Sequence, residues 1–289
     1  MGAADVVPGV SGGTIALVTG IYERLLNALA AFDGEAISLL IAGRWRVFWY
    51  RMDGPFLGAL FTGILVAVFT LAQGIDWLLQ HYPQPLWAFF CGLVLTSGLS
   101  LVRDETNLAT VDGFVLFVLG VALVVAIALA PRADFLTGLP GFFFGGAVAI
   151  CAMILPGISG SFVLVLLGIY PQVLAAVSDL RLTPLVVFAL GCAVGLMLFS
   201  RILRWMLARA RGRVMALLSG ILLGSLVSIW PWKLVTSVEL SGNLAELTRP
   251  VLPNHVSLAD PQLGVCLLAF IGGVVAIWSL RRLAGVRYG

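Results

Sequence analysis

The sequence predicts an all-α polytopic membrane protein built as an inverted repeat, with each half a re-entrant helical hairpin followed by three transmembrane helices. Three observations predict this class. The chain of 289 residues is 61% hydrophobic and only 11% charged, and its mean hydropathy of +1.07 excludes an ordinary soluble domain. The motif Pro-Gly-x-Ser-Gly interrupts apolar sequence twice. The segments around its two copies align with each other at one constant offset.

The two motif copies are predicted to break the backbone at membrane depth. They begin with Pro8 and Gly9 and with Pro156 and Gly157; proline removes a helix hydrogen bond, and glycine permits a sharp turn. Ten residues of the two surrounding segments are identical at an offset of 148. Irregular backbone is tolerated at that depth only where it is buried in protein or lines a polar cavity. Breaks at corresponding positions of two halves therefore indicate the binding site of a transporter.

The rest of each half is predicted to supply three membrane crossings. One integral membrane domain is thus divided into a first repeat, 1–135, and a second repeat, 136–289. A hairpin that returns to its own side adds no net crossing, so three crossings invert the second half. Twelve basic residues fall on one predicted side and four on the other, and the richer side is predicted to be cytoplasmic. The crossings after the hairpins are 55–79, 86–102, 114–130, 184–200, 214–230 and 263–280.

Other features exclude several alternative classes. The cysteines lie in separate apolar runs without metal-ligand spacing, so we expect small core residues and neither a metal site nor a cofactor. The first residues lack the basic region and cleavage pattern of a removable signal peptide. Arginines cluster at segment ends, which is typical of membrane-edge anchoring and indicates no nucleic-acid partner. Residues 231–261 are predicted to form an external loop. The cysteines are Cys91, Cys151, Cys192 and Cys266.

The residues that follow each break are predicted to start a helix with uncovered amides. Hydroxyls at such positions cap free N–H groups, and the positive end of the helix dipole attracts anions. Two such ends that point inward from opposite faces would suit a phosphate or carboxylate moving between leaflets. The alternative is that small residues here only let helices pack closely. The predicted substrate-binding residues are Ser11, Gly12, Gly13, Thr14, Ser159, Gly160 and Ser161.

Three charged residues near the first break are functional candidates, because charge is costly inside a membrane. Asp5 or Glu23 could carry a coupling proton or sodium ion, and Arg24 could hold the substrate anion. The second repeat carries no charge at the equivalent positions. The alternative is an internal pair of Glu23 with Arg24, or side chains that lie at the membrane interface.

The motif also fits the Gly-x-Ser-Gly pattern of intramembrane serine proteases. Such chemistry needs a general base beside the serine. The two histidines, His81 and His255, lie outside the apolar runs. We therefore expect that the protein is not an enzyme, although a hydrolase stays among the alternatives.

A resemblance to a known family rests on both breaks and on short segments elsewhere: Ala4-Asp-Val-Val-Pro-Gly-Val-Ser-Gly-Gly-Thr14, Gly20-Ile-Tyr-Glu-Arg-Leu-Leu26, Phe90-Cys-Gly-Leu-Val-Leu95, Leu155-Pro-Gly-Ile-Ser-Gly-Ser161 and Leu167-Gly-Ile-Tyr170. With these motifs the chain resembles the bacterial polyprenyl-phosphate (undecaprenyl-phosphate) transporter family, PopT type, formerly a domain of unknown function. The resemblance implies a multi-pass protein of the bacterial cytoplasmic membrane. It also implies that the protein returns the lipid carrier of cell-wall synthesis from the outer to the inner leaflet.

The leading hypothesis is a lipid-phosphate translocase that binds the phosphate headgroup between the two hairpin tips and leaves the prenyl tail in lipid. Arg24 would neutralise the headgroup, and Asp5 or Glu23 would couple transport to an ion gradient. One alternative is a transporter of a small soluble anion, which needs a closed aqueous pocket. Another is an intramembrane hydrolase, which needs a base beside Ser11 or Ser159. The oligomeric state is left open.

Overall fold

A computed structural model describes residues 1–5, 11–106, 108–130, 136–240, 243–253 and 262–283. These residues are mainly helical. The helices are α1 (Gly2–Asp5), α2 (Gly12–Val18), α3 (Tyr22–Ala30), α4 (Gly34–Ile41), α5 (Trp45–Arg51), α6 (Gly54–His81), α7 (Pro83–Glu105), α8 (Val111–Leu129), α9 (Gly138–Ile154), α10 (Gly160–Leu166), α11 (Tyr170–Ser178), α12 (Leu182–Gly224) and α13 (Leu263–Leu283), with a 3₁₀ turn at Ser225–Val227.

The long apolar helices agree with the predicted membrane class. Within the described residues, five helical segments are long and apolar enough to cross a membrane: α6, α7, α8, Leu182–Val227 and α13. The count becomes six when the bent pair of α10 and α11 is taken as one span; these two helices meet at 112°. A spanning helix needs about 20 apolar residues. The prediction of a polytopic helical membrane protein is therefore confirmed.

Two predicted crossings, 184–200 and 214–230, follow each other in the structure with a kink between them. The range Leu182–Gly224, labelled α12, is helical on both sides of Ala210, whose φ of −148° and ψ of 51° are not helical. Arginine, leucine, methionine and alanine are all good helix formers, so each predicted crossing extends towards this kink. We call the two parts of this helix the first arm, 182–209, and the second arm, 211–224.

Glycines bring the long helices into close contact. A Cβ atom added at Gly92 of α7 would lie 2.2 Å from the Phe270 carbonyl oxygen, and one at Gly273 of α13 would lie 2.1 Å from that of Phe89. Small residues at such crossings let two backbones approach closely in a membrane. The second arm packs on α8 and the first arm on α9 in the same way, through Gly220 against Phe117 and Gly191 against Phe143.

The segments after the two breaks have the same local structure. The bounds of α10 and α11 equal those of α2 and α3 shifted by 148 residues. Gly20 and Gly168 adopt φ values of 74° and 73° between the paired helices. After each first helix, the N–H groups of the glycine and of the following isoleucine donate to helix carbonyls, as in a Schellman motif. The internal repeat in the sequence therefore corresponds to a repeated local fold.

A β-hairpin adds to the helical class. Strands β1 (Lys233–Leu240) and β2 (Asn243–Pro250) pair antiparallel, with Lys233 opposite Pro250 and Leu240 opposite Asn243. This segment lies within 231–261, for which the sequence predicts an external loop. Its valine, threonine and leucine residues suit an extended backbone. The hairpin places Lys233 and Pro250 beside the helices at one end of the molecule.

Candidate functional site

The hydroxyl groups of the first break are buried and bonded to the second break. Ser11 caps α2, since its Oγ accepts the Gly13 N–H at 3.1 Å, and the same hydroxyl donates to the Met153 carbonyl at 3.2 Å. Thr14 is fully buried, and its Oγ1 accepts the N–H of Gly157 at 3.1 Å. The residues that follow the first break therefore lie directly against the second break.

Further contacts close this junction. The Tyr22 hydroxyl donates to the Ile154 carbonyl at 3.1 Å, and both side chains are buried. A Cβ atom at Gly13 would lie 2.9 Å from the same carbonyl oxygen. Pro156 is fully buried as well. The other two predicted break residues, Pro8 and Gly9, lie outside the described residues.

The second break has one side that faces a cavity. The Oγ atoms of Ser159 and Ser161 are 2.9 Å apart and share a hydrogen bond. Both residues, with Gly157 at φ 84°, line a cavity of about 440 Å³. Gly160 lies between these serines in sequence but packs on α9, where a Cβ atom would lie 2.7 Å from the Ala149 carbonyl oxygen.

The walls of this cavity are mainly apolar. It is bounded by the start of α7, the end of α8, the second break with α10, and the segment that leads into the β-hairpin. Leu129, Phe162 and Tyr170 line the cavity and are also partly exposed at the surface of the chain. The cavity lining thus combines hydroxyl groups with apolar side chains that are exposed at the surface of the chain. Its other lining residues are Trp87, Val124, Ile127, Ala128, Ile158, Val165, Val227, Ser228, Lys233 and Pro250.

Lys233 lines the cavity, although the sequence predicts it only as one charge of an external loop. Among the described residues that line the cavity, it is the one charged side chain. Its Nζ donates to the Ser228 carbonyl at 2.5 Å and lies 4.3 Å from the centre of the Trp87 ring. Burial lowers the pKa of this amine to about 8. The available signal is that Lys233 is the single lysine of the chain.

The charged residues predicted near the first break lie away from the cavity. Arg24 forms a bidentate pair with Asp53, with an Nε to Oδ2 distance of 2.5 Å, and stacks over Phe56. Hydrogen bonding to this guanidinium lowers the pKa of the Asp53 carboxyl. Glu23 pairs with Arg211 at 2.8 Å. Glu23 and Arg24 therefore have different partners and do not pair with each other.

An ion-pair cluster joins α3 and α12 to the last residue of α7. Arg211 Nη1 lies 2.8 Å from Glu105 Oε2, and the same guanidinium holds Glu23. The Glu105 side chain is only 4% exposed, whereas that of Glu23 is 46% exposed. Asp5, the other predicted coupling residue, ends α1. We call Glu23, Glu105 and Arg211 the Arg211 cluster.

The structure thus divides the predicted site into three parts. Ser159 and Ser161 line the cavity with Gly157, while Ser11 and Thr14 are buried behind them at the junction. Arg24 and Glu23 form ion pairs elsewhere. Within the described residues there is no group of three histidine, cysteine or acidic side chains placed to hold a metal. The cysteines lie inside helices, two buried and two partly buried.

Comparisons with known proteins give one consistent result. A family model described as undecaprenyl phosphate translocase-like matches residues 1–245. A polyprenyl-phosphate transporter from Vibrio cholerae is 40% identical over 285 residues, which cover 96% of this chain and 91% of the relative. A polyprenyl-phosphate transporter from Staphylococcus aureus is 30% identical over 248 residues, covering 80% and 83%. No solved structure matches this chain.

Proposed function

We propose that this chain, which belongs to the undecaprenyl phosphate translocase-like family, moves a polyprenyl phosphate across the bacterial cytoplasmic membrane. The transport would return the carrier lipid of envelope glycan synthesis to the inner leaflet. Support comes from two relatives named polyprenyl-phosphate transporter and from the apolar helices of the chain. The proposal describes a transporter and not an enzyme.

One observation carries the proposal: the cavity is lined by both hydroxyl groups and apolar side chains. Ser159 and Ser161 supply two hydroxyls at the second break, which can donate to phosphate oxygens. Leu129 and Phe162 can contact a hydrocarbon chain. An amphipathic lipid phosphate needs both kinds of lining. A small soluble anion would need only the hydroxyl groups.

The closed junction between the breaks would act as the barrier beneath the headgroup. In this proposal the hydroxyls of Ser11 and Thr14, with Gly12 and Gly13, become headgroup ligands when the two breaks separate. The binding site would then pass from one hairpin tip to the other. This keeps the phosphate in contact with polar groups, which hydrocarbon cannot offer.

An inverted repeat would give the two halves the same role on opposite faces. Helix pairing supports it: α7 of the first half packs on α13 of the second, while the second arm of α12 packs on α8. In the predicted repeat α7 corresponds to the second arm of α12, and α8 corresponds to α13. Each of the two contacts is therefore the counterpart of the other, as expected for a pseudo-two-fold axis. The re-entrant form of the α10–α11 pair is part of the same proposal.

Arg24 and the acidic residues would act at the face opposite the cavity. Arg24 is 57% exposed and could meet the headgroup after it passes the barrier. Glu23 or Asp5 would couple transport to a proton or sodium gradient. The test measures transport by the Glu23→Gln variant with and without a proton gradient and with and without a sodium gradient. If Glu23 couples transport to one of these ions, the variant should lose the stimulation by that gradient.

The proposed function is tested by leaflet exchange of labelled undecaprenyl phosphate in liposomes that contain the purified chain. The double variant Ser159→Ala/Ser161→Ala should exchange the lipid roughly thirtyfold more slowly, since two hydrogen bonds of about 1 kcal/mol each are lost. The matched control is Ser97→Ala/Ser219→Ala. Both control serines are buried, and each hydroxyl bonds a carbonyl four residues earlier in its own helix.

Three outcomes would contradict the proposal. Protein-containing and empty liposomes with equal exchange would remove the lipid-transport function. Equal rates for inorganic phosphate uptake and lipid exchange would favour a soluble-anion transporter. Release of phosphate from the lipid would identify a hydrolase. Undecaprenol, which lacks the phosphate, is the substrate control.

A further inference from the structure

Lys233 brings a positive charge into a cavity that is otherwise uncharged among its described lining residues. Its amine donates to the Ser228 carbonyl, just beyond the end of α12, and lies over the ring of Trp87. The carbonyl end of a helix and the face of an indole both favour a cation. These contacts fix the position of the ammonium group, but both partners are neutral. Within the described residues, Lys233 forms no salt bridge.

A cation without a carboxylate partner has the properties of an anion receptor. Most charged side chains that are largely buried in proteins are paired with an opposite charge. Elsewhere in this chain the described arginines pair repeatedly with acidic groups, as Arg51 does with Asp33 and Glu35. Lys233 differs because it borders the cavity that Ser159 and Ser161 also line. The missing negative charge can come from a ligand.

We propose that Lys233 is the residue that binds the anionic headgroup in the cavity, that it acts together with Ser159 and Ser161, and that Trp87 positions its ammonium group. This inference rests on the proposed transport function, because it assigns the charge recognition of the same site. The ligand class is a lipid phosphate monoester, whose charged oxygens accept from both the ammonium and the hydroxyls. An uncharged prenyl alcohol lacks the group that Lys233 would recognise.

The lowered pKa of Lys233 gives the inference a distinct pH signature. The amine is charged below about pH 8 and neutral above it. A phosphate monoester has its second pKa near 6, so its charge is constant above pH 7. Bound phosphate stabilises the ammonium form. Affinity should therefore fall as pH rises above 8, by about tenfold per pH unit until the pKa of the complex is reached.

The test measures binding of undecaprenyl phosphate to the purified full chain in nanodiscs between pH 7 and 9.5. Lys233→Gln should bind about tenfold more weakly than the wild type at pH 7, because a charge-assisted contact is lost. Lys233→Arg should keep binding and lose the fall above pH 8, since arginine stays charged. Arg181→Gln is the matched control. Arg181 lies before α12 and does not line the cavity, and its replacement by glutamine removes the same charge.

Chemical labelling gives a second readout that does not depend on a variant. Because Lys233 is the single lysine, an amine-reactive acetylating reagent modifies one internal site when the purification tag lacks lysine. Mass spectrometry of the peptide around Lys233 should show protection by undecaprenyl phosphate and none by undecaprenol. Protection by inorganic phosphate at equal concentration would assign the site to a free anion and overturn the lipid-phosphate inference.

The results separate the inference from the function on which it rests. If the wild type neither binds nor exchanges undecaprenyl phosphate, the proposed function fails. If the wild type does both and Lys233→Gln equals it at every pH, the transport function stands and the role of Lys233 is wrong. A Lys233→Arg variant that keeps the fall in affinity above pH 8 would also overturn the role.

Discussion

The N–H of Gly157 donates a hydrogen bond of 3.1 Å to Thr14 Oγ1, across 143 positions of sequence. Both groups are buried, so neither can turn to water in this conformation. The bond joins the helix that follows the first break to the turn of the second. This hydrogen bond is therefore present only while α2 and the second break are in contact.

Replacing Thr14 with valine should weaken this contact. Thr14→Val keeps the shape of the side chain and leaves the buried Gly157 N–H without its acceptor, at a cost of about 1–3 kcal/mol. We expect a lower thermal midpoint in detergent, measured by loss of the monodisperse peak after heating. Thr19→Val is the control, because the Thr19 hydroxyl donates only to carbonyls of its own helix. Equal midpoints for the two variants would contradict the prediction.

Gly157 itself should not tolerate a side chain. Its φ of 84° is unfavourable for other residues, and an added Cβ would lie 2.9 Å from Ser225 Oγ and 3.2 Å from Leu222 Cα. Gly157→Ala should therefore lower the thermal midpoint and slow lipid exchange, with a cost of about 1–3 kcal/mol. Gly264→Ala in the first turn of α13 meets nothing within 4 Å. That control should behave as wild type.

The second break and the repeated turn at Gly20 and Gly168 could be predicted from the sequence because their signal is local. Proline and glycine restrict or free the backbone wherever they occur, and the repeat at offset 148 marked the same turn twice. Gly20 and Gly168 share one conformation for that reason. The long apolar runs similarly predicted the crossings, since length and hydropathy are properties of a segment alone.

The partners of the site residues could not be predicted, because they depend on tertiary contacts. Nothing in the sequence indicates that the Ser11 hydroxyl bonds Met153 rather than a ligand. Arg24 finds Asp53, 29 positions away, in preference to its neighbour Glu23. Lys233 reaches the cavity through a chain segment that the composition assigned to an external loop. Local patterns identify where a site can form, and packing decides which side chains enter it.

The Arg211 cluster should respond strongly to loss of its cation. Arg211→Met leaves the nearly buried Glu105 carboxylate without its partner, which costs about 1–3 kcal/mol. The second change Glu105→Gln removes that charge and should restore most of the thermal midpoint. Arg213→Met is the control, because Arg213 and Asp112 are each 62% exposed and such pairs contribute little. A double variant as unstable as Arg211→Met would exclude this explanation.

Stability should rise with pH above 8 because of Lys233. Its pKa is about 8 in the folded chain and near 10.5 in the unfolded chain, so between these values the unfolded state binds one more proton. The free energy of unfolding then increases with pH, by up to about 3 kcal/mol in total. Below pH 8 both states are protonated and the gain is absent. The free energy of unfolding is measured for the wild type and for Lys233→Met at pH 7 and at pH 10. The contribution of Lys233 is the part of the increase between these pH values that the variant lacks.

Cysteine labelling should distinguish the two breaks. In a background without native cysteines, Ser161→Cys places a thiol in the cavity, while Ser11→Cys places one at the closed junction, where Ser11 is 4% exposed. A charged maleimide added from the periplasmic side should modify the first variant rapidly and the second slowly, because the cavity lies at the end bearing Lys233, which the charge distribution of the sequence predicts to be external. Undecaprenyl phosphate should protect Ser161→Cys if the headgroup occupies the cavity. Equal labelling of both thiols would mean that the junction opens without substrate, and the closed breaks could not then be the barrier to transport.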